Sequence, residues 1–169
     1  MPIVVLDSHP LSLISHPGNT EESLRCSKKI QSFVNNRILV VVPEIIDYEL
    51  RRKLIHSKRD KSIEILNKLG DKGLVYAPIT TEIMQKAADL WGWARSTGQS
   101  TANKDKIDID VILAAQSLIL AQETREYTVI ATSNVSDLER YTPAKKLEDI
   151  TIEYFTEMNR RNTSSVSLL

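Results

Sequence analysis

Ile3-Val4-Val5-Leu6-Asp7-Ser8 is the stretch on which the fold turns. Its four consecutive apolar residues predict a short strand buried on both faces, the kind found in parallel sheets covered by helices. Similar runs recur at Ile38–Val42, Leu74–Ala77 and Thr128–Ala131. Between them the pattern turns helical. A helix is expected from the Asn19/Glu22 start signal to Phe33. Another begins at Pro43 and carries Ile46, Leu50 and Leu54 at helical spacing, followed by one over Lys58–Leu69. Thr80 or Thr81 caps a long helix with Ile83, Ala87, Leu90 and Ala94 on one face. A last one runs from about Asp108 to Gln122. The polar segments His9–Gly18 and Arg95–Lys106 read as loops, and Ile150–Tyr154 as an edge strand. Strands alternating with helices imply an α/β protein, a three-layer α/β/α sandwich around a central parallel sheet. Residues 1–156 are expected to form one domain and 157–169 a disordered polar tail.

Composition bounds the function without naming it. A chain of 169 residues, 41% hydrophobic and 26% charged, is an ordinary globular protein with enough length for a real core. Its 22 basic and 22 acidic residues cancel, so any nucleic-acid contact must rest on a local patch rather than a global field. The single cysteine, Cys26, excludes an internal disulfide and a cysteine-rich zinc site. Neither a signal peptide nor a membrane span is expected, which makes the cytoplasm the predicted compartment.

Chemistry is concentrated in four acidic islands, each where a strand meets a loop or a helix begins. Asp7 ends the first strand, where a carboxylate needs a metal or several hydrogen-bond donors, or caps the following turn. Pro43-Glu44-Ile45-Ile46-Asp47-Tyr48-Glu49-Leu50 places Glu44 and Asp47 on one helix face, with Glu49 about 200° round from Asp47. Glu49 is either a site residue or half of an ion pair with Arg52 or Lys53. Asp108 and Asp110 likewise point about 200° apart. Asp110, read as a first-turn residue, benefits from the positive helix N-terminus, and small Ala114 on its face permits close packing. The fourth island runs from Thr132 to Asp137. There Asn134 supplies a neutral carbonyl oxygen, Asp137 is a further acid or a turn cap, and Thr132 and Ser133 are hydroxyls able to hold a carboxylate. Carboxylates gathered by folding suit a hard divalent cation, because Mg²⁺ takes oxygen ligands. Without one, each like-charge pair at 4 Å costs about 4 kcal/mol at an effective dielectric near 20.

In this order the islands resemble the PIN-domain family, and within it the VapC-type ribonucleases. The matching pieces are a first strand ending in Asp7-Ser8, then Pro-x-x-x-x-x-Glu-Leu from Pro43 to Leu50, Asp-x-x-x-Ala-Ala from Asp110 to Ala115, and Thr-x-Asn-x-x-Asp from Thr132 to Asp137. Each piece is weak alone; the ordered set, from about Ile3 to Tyr154, is fairly specific. The resemblance implies a Mg²⁺- or Mn²⁺-dependent ribonuclease in which Asp7, Glu49 and Asp110 hold the metal and Asn134 or Asp137 completes the site. It further implies a toxin role, a small antitoxin as partner, and a homodimer. Where many members of the family carry an acid, this chain has Asn134, and that departure keeps a non-catalytic RNA-binding or scaffold protein of the same fold as the rival reading.

Arg51, Arg52, Lys53, Lys58, Arg59 and Lys61 form a basic run beside Glu49, the expected place for RNA phosphates unless it is simply a solvated helix face. The three histidines are expected at the surface, and Trp91 and Trp93 in packing rather than base stacking. Two other strand-end acid chemistries fit less well. A receiver domain would want an acidic pair where Asp7 stands alone, and a haloacid-dehalogenase-like phosphatase would want Asp-x-Asp where the chain has Asp7-Ser8-His9.

Overall fold

Ile3, Val4, Val5 and Leu6 form the middle strand, β1 (Ile3–Leu6), and every one of them is at most 1% exposed, so helices cover both faces of the sheet. A computed structural model describes residues 1–98 and 104–158, with backbone alone for 104–107. β2 (Leu39–Pro43) and β4 (Thr128–Ala131) flank β1, and β3 (Val75–Ala77) and β5 (Ala144–Lys145) form the edges, giving the order β3-β2-β1-β4-β5. Every pairing is parallel, with Val4 beside Val40 on one side and Val129 on the other. The expected α/β architecture with a central parallel sheet is therefore present.

Chain order sets the position of the site. From β1 the chain steps outward to β2 and β3, then returns across the sheet to β4 and β5. The reversal between β1 and β4 is a topological switch point, and ligands of open α/β sheets gather there, outside the carboxyl ends of the strands.

Around the sheet run α1 (Ser8–Ile14), α2 (Glu21–Asn35), α3 (Glu44–His56), α4 (Asp60–Asn67), α5 (Thr81–Ser96), α6 (Lys104–Thr124) and the short α7 (Val135–Leu138). α2 and α5 begin at threonine caps: Thr20 accepts from the Ser23 N–H and Thr80 from the Ile83 N–H, each at 3.2 Å. α5 lies along α6 through Ile83, Ala87, Val111, Ala115 and Ile119, the face that the spacing of Ile83, Ala87 and Ala94 indicates. Gly73 closes the turn before β3 with φ +84°, and a Cβ there would meet Val34 at 2.8 Å.

Three local expectations are corrected. Residues 8–14 are helix rather than loop. Asp7 caps that helix, Pro10 falls in its first turn where no intrahelical N–H is needed, and Leu11 and Ile14 bury three apart. α6 begins at Lys104, so Asp110 lies two turns inside the helix and gains nothing from its N-terminus. Residues 152–158 are helical, not an edge strand. Thr151 accepts from the Tyr154 N–H at 3.1 Å and starts that turn, while Ala144–Lys145 takes the sheet edge. Of the tail expected over residues 157–169, residues 157 and 158 belong to that helix, and 159–169 lie outside the described residues. Among those described, no helix is long and apolar enough to cross a membrane.

Candidate active site

The ends of β1 and β4 are joined by a side-chain bond. Asp7 extends β1 by one residue, its N–H donating to Ala131 O at 3.0 Å, which brings its side chain beside Thr132. Thr132, 2% exposed, donates its hydroxyl to Asp7 Oδ2 at 2.6 Å, and the Ser8 N–H donates to Oδ1 at 2.6 Å. Both carboxylate oxygens are thus oriented, half-buried, at the switch point. Of the two hydroxyls expected to hold a carboxylate, Thr132 and Ser133, it is Thr132 that bonds Asp7. The same hydroxyl accepts the Asn134 N–H at 2.9 Å, which shapes the turn into α7.

Asn134 and Asp137 are adjacent in the fold: the Asn134 amide donates to Asp137 Oδ2, and Arg140 donates to Oδ1 at 3.4 Å. Asp110, on α6, lies within electrostatic reach of Tyr141, as does Asp137. The phenol of Tyr141 is shifted upward, first by burial and then by the negative charges of Asp110 and Asp137, with Arg140 opposing. Tyr141 and Arg140 were not legible as site neighbours, because only the i+3 spacing of Arg140 from Asp137 hints at them.

Glu49 stands on α3, which packs against α1 and α6. Its side chain is 16% exposed and accepts from Lys53 Nζ at 2.6 Å, so the ion pair weighed from the sequence is formed. Glu44 and Asp47, on the other face, have structural partners. Glu44 Oε2 accepts the Ile79 N–H at 2.6 Å, pinning the loop after β3. Asp47, buried, takes two bonds from Arg51, 2.8 Å from Nε and 2.9 Å from a terminal nitrogen. Beside them the Tyr76 phenol is pushed up to about 12, chiefly by burial, then by Glu44 and Asp47.

The basic run divides. Arg51 is committed within the fold, to Asp47 and at 2.8 Å to Asn67, and the Asp47 bond is the chief cause that raises its pKa further. Lys53 sits on Glu49, Arg52 lies 5.3 Å over the Tyr48 ring, and Lys58 and Arg59 are exposed at the turn into α4. His9, His16 and His56 are exposed, as expected. Trp91 and Trp93 are about 40% exposed, 39% and 42%, rather than packed away, with Trp93 edge-on to Tyr141 at 5.9 Å.

For a divalent cation the donor chemistry fits: Asp7, Glu49, Asp110 and Asp137 offer oxygens, and Asn134 a neutral one. As placed, however, no three His, Cys, Asp or Glu side chains among the described residues form a group able to hold a metal ion. Glu49 is balanced by Lys53 instead, whose side chain is 58% exposed and free to swing aside.

Neither protein-family models nor curated proteins match this chain. Solved structures do. The structure of VapBC2 from Rickettsia felis bound to a DNA fragment from their promoter aligns with TM-score 0.63 and 12% identity, over 85% of this chain and 98% of that one. VapBC-1 from nontypeable Haemophilus influenzae aligns with TM-score 0.62 and 18% identity, over 87% of this chain and 99% of that one. At such identities the likeness is one of fold.

Proposed function

Because the chain has a VapC-like PIN fold, with Asp7 fixed at its switch point, we propose that it is a Mg²⁺- or Mn²⁺-dependent endoribonuclease, the toxin of a toxin–antitoxin pair. The observation that carries this reading is the Asp7–Thr132 bond. It holds a carboxylate in one orientation at the carboxyl edge of a parallel sheet, where capping alone would require only the Ser8 contact. Asp7, Glu49 and Asp110 would hold the cation. A bound divalent ion supplies Lewis-acid polarisation of a phosphodiester and lowers the pKa of water. The chain's own part is positional. Thr132 and the Ser8 N–H fix Asp7, Arg140 and Asn134 fix Asp137, and the exposed Lys53 ammonium, displaced from Glu49, stands ready to meet substrate phosphate.

The partners follow from the same proposal: RNA as substrate, a small antitoxin protein as inhibitor, and a second copy of the chain in a homodimer. The cytoplasm is the proposed setting. A second reading, a non-catalytic RNA-binding or scaffold protein, is favoured by the pairing of Glu49 with Lys53 and by the lack of a three-acid group among the described residues.

Turnover separates the two. Incubation of the antitoxin-free chain with a mixed RNA pool, in Mn²⁺, Mg²⁺ or EDTA, should give cleavage that needs the metal. RNA retention with no cleavage in any metal would favour the second reading.

A further inference from the structure

A cleft of about 540 Å³ opens at the switch point between α1, α2, the turn after β4 and the segment after β5. Its size is that of a site for one nucleotide or a comparable small molecule. One wall is Thr132, the residue whose hydroxyl holds Asp7, so the cleft begins next to the candidate active site. Pro10, Leu13 and Leu147 give it an apolar lining, and the rim carries Arg25, Lys29 and Lys146. Glu22 and Glu148 also border it, but Glu22 faces His9 at 3.4 Å. Arg25 is paired with Glu21 in an ion pair whose side chains are 74% and 91% exposed, a contact too solvated to hold it. Lys146 is exposed, and Lys29 is half-buried with its ammonium 5.5 Å from the Phe33 ring.

We propose that this cleft is a nucleotide subsite for single-stranded RNA, with a base on the apolar lining and its phosphate on Arg25, Lys29 and Lys146. The proposal rests on the nuclease reading above and says where the strand flanking the cut is held. An apolar lining with cations on its rim matches the two parts of a nucleotide: the base face is buried against Pro10, Leu13 and Leu147, and the phosphate charge is neutralised by the cations. The cations come from α2 and from the segment after β5, so no sequence cluster announces them. Within the basic run on α3, Arg51 is less suited, because it is committed to Asp47 and Asn67.

The test is the affinity of the full chain for a short labelled single-stranded RNA, in EDTA and across a salt series. Its arms are wild type, Lys29→Gln/Lys146→Gln, Arg52→Gln/Lys58→Gln and the charge-matched Lys68→Gln/Lys86→Gln, each checked for unchanged thermal unfolding. The Lys29/Lys146 pair should weaken binding by about tenfold at low salt and make the slope of log affinity against log salt shallower by about 1.4, while the matched control shows neither effect. An unchanged slope, or a loss that follows the Arg52/Lys58 pair instead, overturns the proposal. So does binding of a labelled acidic peptide that depends on Lys29 and Lys146 while RNA binding does not, since it assigns the cleft to a protein segment. Cleavage by wild type with an unchanged slope removes the subsite alone. A shifted slope without cleavage in any metal removes the nuclease and keeps the subsite.

Discussion

Thr132 serves two partners with one hydroxyl, donating to Asp7 Oδ2 and accepting from the Asn134 N–H. Thr132→Val keeps the shape and removes both bonds. Because one acceptor is ionised, the loss should cost about 2 kcal/mol, read as a lower urea midpoint, and cleavage should fall more steeply than stability accounts for. Arg51 predicts the opposite pattern. Arg51→Leu strands the buried Asp47 carboxylate and should cost about 1–3 kcal/mol, discounted because Arg51 itself is 32% exposed, yet RNA affinity should change by less than about twofold. A binding loss without destabilisation would return Arg51 to the substrate path. Cys26 yields a pH prediction. Burial first, then the Glu22 charge, pushes its thiol from 9.0 up to about 12. Its folded pKa is raised, so the thiol's contribution to stability is whole below pH 9 and is lost as pH rises toward 12. Cys26→Ala should therefore flatten the alkaline fall in stability measured by denaturant titration, and native Cys26 should resist alkylation at neutral pH.

Helices show which parts of a sequence announce themselves. The α5–α6 interface was readable because Ile83, Ala87 and Ala94 repeat at helical spacing and bury. α1 was not, because Pro10 reads as a breaker until Asp7 is known to cap the turn before it. The start of α6 was missed for a related reason: Lys104-Asp105-Lys106 has no apolar period, and polar residues tolerate helix without signalling it. The helix over 152–158 depends on the Thr151 contact at its start, whereas Ile150–Tyr154 looks strand-like by composition. At this scale the testable point is α6. Ala114 and Ala115 are fully buried, and Ala114 lies on the face that carries Asp110. Ala114→Leu should cost about 1–3 kcal/mol by overpacking, seen as a lower Tm, and reduce cleavage by shifting Asp110. A neutral effect would mean that the helix does not need close approach there.

Across the whole molecule, the parallel sheet was legible because each buried strand is a short uninterrupted apolar run, most clearly at β1 and β4. The convergence of Asp7 with the Thr132–Asp137 turn was also legible in outline, since both follow strands that end on one edge. What the sequence could not show is the pairing of charges. Lys53 rather than a third acid meets Glu49, Arg140 meets Asp137, and Tyr141 senses Asp110 and Asp137 together. Such contacts depend on rotamers and on residues distant in the chain. They give Glu44 and Asp47 structural duty, while the proposed function assigns Asp7, Glu49, Asp110 and Asp137 to the site. The most direct test of that division is cleavage of a mixed RNA pool in Mn²⁺ by wild type and by Asp110→Asn, with matched folding confirmed by circular dichroism. The account predicts cleavage by wild type and a loss of about a hundredfold or more in the variant. Equal cleavage by both proteins would contradict it.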